Sequence, residues 1–273
     1  TTSHYDQAIF RYLSGQHGAG GHNGKFAAEL NMQFIKMQDL RYGENPHQSA
    51  AFYRDARDIA GVSAMKQLWG KELSFNNILD VNAAVNIVRE FSRPAVVFVK
   101  HNNPCGVAEN EDIMKAFSQS WSCDKLSAFG GIVSINRPID EKLAQAIAKC
   151  GFLECIVAPA FSAGALALLK EKKNVRLLEM ARVMDRLDQL DFKRVSGGLL
   201  VQDDDSLTLD ESKLKVVTKK KPTAKDMEAL LFAWKVAKHV KSNAIILVQG
   251  TRTVGIGAGQ MSRVDSVYIT NRK

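Results

Sequence analysis

Short runs of aliphatic and β-branched residues alternate along the chain with longer amphipathic stretches. The apolar runs predict buried strands over residues 95–99, 131–135, 155–158 and 244–248. The amphipathic stretches predict helices over residues 77–91, 140–149, 162–173 and 223–240. Because strands alternate with helices, the pattern indicates an α/β fold built around a layered sheet.

Three regions depart from this alternation. Residues 5–13 predict a short helix, and the glycines of residues 14–24 predict a flexible loop whose two histidines we do not expect to bind metal. The acidic run at residues 203–205 and the basic run at residues 219–222 bracket a polar region, which is either an exposed connection or a boundary between two lobes. Residues 266–269, SVYI, predict a last strand.

Composition and charge narrow the class of protein. With 45% hydrophobic and 24% charged residues among 273, the chain has the composition of an ordered globular protein. Its net charge of +8 favours anionic partners, without choosing among nucleic acid, phosphorylated metabolites and polycarboxylates. The sequence has neither the plan of a signal peptide nor an apolar run near the roughly 20 residues that span a bilayer, so we expect a cytoplasmic location.

The four cysteines predict reduced thiols in the core. None forms a C-x-x-C pair, and four in a chain of 273 residues are too few to suggest a disulfide framework. Their spacing is not that of a zinc site. The sequence also lacks a G-x-S-x-G elbow, an H-E-x-x-H pair and a Walker loop, which argues against the commonest hydrolases, zinc enzymes and nucleoside triphosphatases.

The most informative motif is residues 100–106, KHNNPCG, where a buried strand ends in polar residues and a predicted Pro-x-Gly turn. Ligands of α/β proteins bind at the carboxyl ends of strands, where side chains face an open crevice. His101 can exchange a proton near neutral pH, and Lys100 beside it can stabilise a developing oxyanion. The alternative, an ordinary polar strand end, stays equally open on these residues alone.

Two further motifs carry polar groups that suit a ligand. Residues 41–48, RYGENPHQ, place Arg41 in a loop that suits anion recognition, although the residues alone favour a turn with an exposed arginine. Asn243 precedes a predicted strand, either as a cap or as an amide donor facing the crevice. The glycine run at residues 255–259 follows another strand, but its spacing is not that of a dinucleotide fingerprint, and we expect no helix after it.

Taken in order, these motifs resemble the AICAR transformylase portion of the bifunctional purine biosynthesis family PurH. The resemblance extends over nearly the whole chain and rests on residues 41–48, 73–77 (LSFNN), 100–106, 127–131 (SAFGG), 195–200 (VSGGLL), and 241–245 (KSNAI) through Arg263. It implies cytidine deaminase-like lobes without zinc. It divides the chain into a first lobe at residues 1–193 and the start of a second lobe at residues 194–273.

The resemblance also implies a reaction and its residues. A formyl group would pass from 10-formyltetrahydrofolate, a co-substrate, to the 5-amino group of AICAR, giving FAICAR. His101 would be the general base, Lys100 would stabilise the oxyanion or protonate the leaving nitrogen, and Asn243 would orient the reacting groups. The nucleotide would be held by Arg41, Tyr42, Gly130, Glu154 and Arg263, with Val264 against the folate. A homodimer with shared active sites is implied, and a monovalent cation is left open.

Relative to that family we expect truncation at both ends, without the IMP cyclohydrolase domain and without a C-terminal portion. The chain could then be a catalytically impaired nucleotide-binding fragment of the same enzyme. A third hypothesis, a basic nucleic-acid-binding protein, rests on net charge alone. The lysines lack the interleaved aromatic residues of a stacking surface, so we expect neither nucleic acid nor membrane as a partner.

Overall fold

The computed structural model describes residues 5–6, 9, 26, 29–56, 60–187 and 189–271. The chain divides into two compact units, Thr1–Phe34 and Ile35–Lys273. The predicted loop at residues 14–24 lies outside the described residues, and so does most of the predicted helix at residues 5–13. The lobe boundary expected between residues 193 and 194 stays a prediction.

The described part of the chain contains twelve strands and seven helices. The strands are β1 Phe34–Leu40, β2 Ala50–Asp55, β3 Lys66–Trp69, β4 Ala95–Lys100, β5 Asn103–Glu109, β6 Ile132–Ile135, β7 Cys155–Ala158, β8 Arg176–Glu179, β9 Leu190–Val195, β10 Gly198–Asp203, β11 Ile245–Gln249 and β12 Arg252–Gly257. The helices are α1 Phe75–Val88, α2 Ile113–Cys123, α3 Lys125–Ala128, α4 Glu141–Ala148, α5 Ala163–Lys170, α6 Ala224–Ala237 and α7 Arg263–Asn271. Short 3-10 turns lie at Gly61–Ala64 and Glu211–Lys213.

Eight strands form one mixed sheet in the order β11-β12-β5-β4-β6-β7-β8-β3. Strands β6, β7 and β8 run parallel, and the remaining neighbours are antiparallel. Two separate two-stranded sheets pair β1 with β2 and β9 with β10. The predicted α/β fold with a layered mixed sheet is therefore confirmed.

Helices cover both faces of the large sheet. Because side chains alternate along a strand, Val97 and Val99 of β4 pack on one face, with α1 and α6, while Val96 and Phe98 pack on the other, with α2, α4 and α5. Strand β4 is buried on both faces, which explains its uninterrupted apolar sequence.

All four predicted strands and all four predicted helices of the first pattern are present. Side-chain caps set the helix starts: Ser74 forms a capping box with Asn77 at α1, and Thr223 forms one with Asp226 at α6. Helix α5 ends at Lys170, before the predicted residue 173. The four cysteines are buried thiols, as predicted, and burial raises the pKa of Cys150 to about 11.

The predicted strand at residues 266–269 is wrong, because this segment lies within α7. Glycines of β12 allow the helix to lie directly on the strand: a Cβ added at Gly257 would stand 2.1 Å from the Ser266 carbonyl oxygen. The Ser266 hydroxyl donates to the Asn243 carbonyl at 2.8 Å, which joins the helix to the segment before β11 as well. Packing thus overrides the β propensity of the segment, and the expectation of no helix after the glycine run is also wrong.

The polar region at residues 204–223 is exposed, apart from the half-buried Leu209 and Pro222. Its one regular element is the short turn Glu211–Lys213, as in an exposed connection, and the alternative of a boundary between two lobes stays a prediction. Among the described residues, no helix is both long enough and apolar enough to cross a membrane.

A buried carboxylate joins three segments of the chain. Glu90 follows α1, and its side chain is 8% exposed. Its Oε1 lies 3.1 Å from Lys238 Nζ and 3.0 Å from His239 Nε2, and its Oε2 lies 2.8 Å from Arg186 Nη2. Burial by itself would raise the pKa of Glu90, but hydrogen bonds with His239 and Lys238 and the nearby charges lower it to about 2. The carboxylate therefore connects the end of α1 with the end of α6.

This cluster predicts an acid-dependent part of the stability. Because the folded-state pKa of Glu90 lies below its ordinary value of 4.5, the ionised group stabilises the fold above about pH 5 and loses that effect as pH falls towards 2. We expect the difference in unfolding free energy between wild type and Glu90→Gln to shrink by roughly 2 kcal/mol from pH 7 to pH 3 in urea titrations. The exposed Glu171→Gln is the control, and an equal response of both variants would contradict the prediction.

The contact between α7 and β12 gives a second prediction. Gly257→Ala forces a Cβ against Ser266 and Thr270, so we expect a loss of about 1–3 kcal/mol in unfolding free energy. In the matched control, Gly198→Ala, the added Cβ meets only the Val195 side chain at 3.6 Å, and stability should change by less than about 0.5 kcal/mol. Equal stabilities of the two variants would show that α7 does not pack as described.

Candidate functional site

One end of the large sheet collects the polar residues that the sequence singles out. Since β4 is antiparallel to β5 and β6, its carboxyl end lies beside the amino ends of β6, β7 and β8. The same pairing brings the carboxyl end of β12 and the amino end of β11 to this end of the sheet. We call it the polar end, and define it by Lys100, His101, Gly130, Glu154, Asn243 and Arg263.

The turn at the centre of the polar end differs from the predicted one. Residues 104–106 lie inside β5, and the chain reverses at His101 and Asn102, between the paired Lys100 and Asn103. Both turn residues have positive φ, 53° and 61°, which is the signature of a two-residue type I′ hairpin. The Pro-x-Gly prediction is wrong because Gly106 serves close packing: a Cβ there would lie 2.1 Å from the Ser120 carbonyl oxygen.

The hairpin turn is held by a carboxylate from another element. Asp80, in the second turn of α1, accepts a hydrogen bond from the His101 backbone N–H at 3.2 Å and another from the Asn102 N–H at 2.7 Å. The His101 imidazole is left exposed, and it has no hydrogen-bond partner among the described residues. It can therefore meet a ligand directly.

Lys100 is positioned by the loop before β6. Its Nζ donates to the Phe129 carbonyl oxygen at 2.7 Å. The next residue, Gly130, has φ of +68° and lies close to the lysine, since a Cβ there would be 3.8 Å from Nζ. The Gly130 N–H in turn donates to the Phe152 carbonyl at 2.9 Å. Because an ammonium group has three donors, Lys100 retains donors for a ligand.

Glu154 is paired with an arginine that the sequence analysis did not single out. The buried Arg176, 6% exposed, forms an ion pair through Nη1 with the Glu154 carboxylate, and its Nη2 is 3.5 Å from the Glu72 carbonyl. Its Nε has no hydrogen-bond partner in the described part of the chain. The pair lies at the polar end beside the starts of β7 and β8.

Asn243 lies at the polar end beside the start of β11. Its Nδ2 donates to the carbonyls of Gln260, at 3.1 Å, and Met261, at 2.9 Å. Two carbonyl acceptors fix which end of the amide is the nitrogen, so Oδ1 is the atom that can accept a hydrogen bond from a ligand. The segment is joined to the hairpin, since the Lys241 N–H donates to Asn103 Oδ1 at 3.3 Å.

The motif at residues 41–48 follows β1 as a compact loop. The Gly43 N–H donates to the Gln48 carbonyl at 2.8 Å, and the exposed Arg41 places its guanidinium 5.5 Å from the Tyr42 ring centroid. Asn76 Nδ2, in the first turn of α1, donates to the Glu44 carbonyl at 3.4 Å. Because α1 also carries Asp80, the same helix contacts both this loop and the hairpin turn.

Arg263 and Val264 begin α7, after the glycine run. Both side chains are exposed, and Val264 is 58% exposed. Their position next to the Asn243 segment follows from its bonds to residues 260 and 261. Six of the nine predicted site residues define the polar end. Arg41 and Tyr42 lie in the loop that Asn76 joins to α1, and Val264 is an exposed neighbour of Arg263.

The arrangement suits proton transfer beside an anion. It combines an exposed imidazole, an ammonium group with remaining donors, an amide oxygen and the exposed Arg263. Among the described residues, no group of three or more histidine, cysteine or acidic side chains is arranged to hold a metal ion. No sequence pattern marked Asp80 or Arg176, whose partners lie 21 or more residues away, or the bond that Asn103 accepts from Lys241.

The bonds of Asn243 predict a sharp difference between two near-isosteric side chains. In Asn243→Asp, a carboxylate oxygen replaces the amide nitrogen and faces two carbonyl oxygens, so we expect residues 258–262 to detach and exchange their amide hydrogens faster. Asn110→Asp is the control, because the Asn110 side chain already acts as the acceptor, through Oδ1, for the Asp112 N–H. Hydrogen–deuterium exchange measures both, and unchanged protection in Asn243→Asp would contradict the assigned bonds.

The family model described as AICARFT/IMPCHase bienzyme matches residues 1–273. The match covers every element of the polar end.

Proposed function

The chain belongs to the AICARFT/IMPCHase bienzyme family, whose role is in purine biosynthesis, and we propose that it catalyses formyl transfer from 10-formyltetrahydrofolate to the 5-amino group of AICAR. The product would be FAICAR. The observation that carries the proposal is the exposed His101 imidazole beside the positioned Lys100 at the polar end.

His101 is the proposed general base. The amine of AICAR is weakly nucleophilic because its lone pair is conjugated with the imidazole ring. As the amine nitrogen attacks the formyl carbon, it becomes acidic, and His101 takes up the proton. Exposure of the imidazole and its lack of a partner among the described residues support this role, because a ring nitrogen remains available for the substrate.

Lys100 and Asn243 are the proposed partners of His101. Attack on the formyl group creates a tetrahedral oxyanion, and the remaining Nζ donors of Lys100 can stabilise it or protonate the folate nitrogen as the C–N bond breaks. Asn243 Oδ1 can accept a hydrogen bond from the amine, which orients the lone pair towards the formyl carbon. The bond between Lys100 and the Phe129 carbonyl supports this role because it limits the motion of the ammonium group.

The charged and glycine residues around this centre are the proposed nucleotide site. Arg41 would bind the phosphate, and Tyr42, Gly130, Glu154 and Arg263 would line the remainder, with Val264 against the folate. Both substrates are anionic, which agrees with a net charge of +8. The Glu154–Arg176 pair supports a polar recognition role for Glu154, because the ion pair holds its carboxylate in one orientation.

A homodimer with shared sites is part of the proposal. The strand β1 exposes Ile35 and Met37, and β2 exposes Tyr53. An isolated two-stranded sheet is marginally stable in water, so a second copy packed on these side chains would stabilise it. Size measurement in solution tests this: a monomer at micromolar concentration would contradict the dimer.

The proposal predicts that His101→Ala lowers turnover roughly 100- to 10,000-fold, because loss of a general base removes that much catalysis. Its affinity for AICAR, measured by calorimetry, should stay within about threefold of wild type. Arg41→Ala is the matched variant with the opposite pattern: a loss of about tenfold or more in AICAR affinity, because a charge-assisted phosphate contact disappears.

Three different outcomes would each contradict a different part of the proposal. Near-normal turnover of His101→Ala would remove this residue from the base role. If the wild type binds AICAR but forms no FAICAR with 10-formyltetrahydrofolate, the chain is a nucleotide-binding fragment rather than an active transformylase. If it neither binds nor reacts, the proposed function is wrong.

A further inference from the structure

We propose that Asp80 is a positioning residue for His101, acting through the backbone of the hairpin turn; the catalytic half of this inference rests on the proposed function. Asp80 lies on α1, and its carboxylate contacts the turn from a different element of the fold. The role is distinct from that of His101 and Lys100, because Asp80 accepts its bonds from the backbone of the turn.

The turn needs external support because of its composition. A type I′ turn requires positive φ at both central positions, and glycine usually occupies the second. Here the positions are His101 and Asn102, with φ of 53° and 61°, and both have a Cβ that makes this conformation less favourable than it is for glycine. The chain nevertheless keeps a histidine at the tip.

Asp80 supplies the support. Its two carboxylate oxygens accept one N–H each, from His101 at 3.2 Å and from Asn102 at 2.7 Å. Bonds to a charged acceptor are stronger than neutral ones, and these two point at consecutive peptide groups of the turn. The pair therefore fixes the direction of the His101 Cα–Cβ bond relative to α1.

The platform for this carboxylate is rigid. Helix α1 is anchored at its start by the Ser74–Asn77 capping box. Val81, the residue after Asp80, is fully buried in the core. The opposite side of the hairpin is tied to the Asn243 segment by the bond from Lys241 to Asn103. The turn is thus held from two sides, and the Cα and Cβ atoms of His101 keep one position relative to Lys100 and Asn243.

The first test removes the support and measures turnover. In Asp80→Ala we expect kcat for formyl transfer to fall about 100-fold, since misplacement by about 1 Å can cost that much, while AICAR affinity stays within about threefold. Asp112→Ala is the matched control: Asp112 also accepts a backbone N–H, from Met114, but at the start of α2 away from the polar end. Its kcat should stay normal. Normal kcat in Asp80→Ala would overturn the inference.

The second test separates positioning from charge and from a general loss of folding. Asn102→Gly adopts positive φ without a Cβ, so in the double variant with Asp80→Ala it should restore kcat at least about fivefold. Asp80→Asn keeps one acceptor oxygen but sets an NH2 group against the second N–H, so its kcat should lie between those of wild type and Asp80→Ala, with an unchanged pH profile of kcat/KM. A profile shifted equally in Asp80→Asn and Asp80→Ala, with no rescue by glycine, would assign an electrostatic role instead.

The third test does not depend on activity. Hydrogen–deuterium exchange of the peptide covering the hairpin tip should become faster in Asp80→Ala and stay unchanged in Asp112→Ala. If the wild type turns over no substrate but the exchange result holds, the proposed function fails while the support of the turn stands. Unchanged exchange at the hairpin tip in Asp80→Ala and Asp80→Asn would overturn the support itself.

Discussion

The antiparallel pairing of β4 with both of its neighbours determines where every other part of the site lies. Strand β4 pairs with β5 along its whole length and with β6 along most of it, and its first five side chains are buried while Lys100 is only half-buried. That pairing sends its carboxyl end, with Lys100 and His101, towards the starts of β6, β7 and β8. The polar end is therefore a consequence of strand order rather than of any single motif.

At the polar end, side chains are held by backbone carbonyls and N–H groups more than by one another. Lys100 donates to the Phe129 carbonyl, Asn243 donates to two carbonyls of the next loop, and Asp80 accepts two N–H groups of the hairpin. Each of these bonds uses part of the capacity of its side chain. The remaining donors and acceptors are left free for a ligand, already oriented before it arrives.

Close backbone approach and a buried charge cluster connect this end to the rest of the fold. Gly257 allows α7 to lie on β12, which carries Arg263 to its place after the glycine run. Glu90, at the far end of α1, joins that helix to the end of α6 through two basic partners. Since α1 also carries Asp80, the helix links core packing with the geometry of the hairpin.

The sequence by itself determined the α/β class and the central strands and helices, because these depend on local periodicity and capping. Its motifs marked Lys100, His101 and Asn243, and the other members of the polar end followed from the family resemblance. The tertiary structure decided the turn at His101 and Asn102 and the helix at residues 263–271, where packing against Gly106 and Gly257 outweighs local propensity. It also decided the parts played by Asp80 and Arg176. Their partners are distant along the chain, so no local pattern could reveal contacts that exist only once the strands are paired.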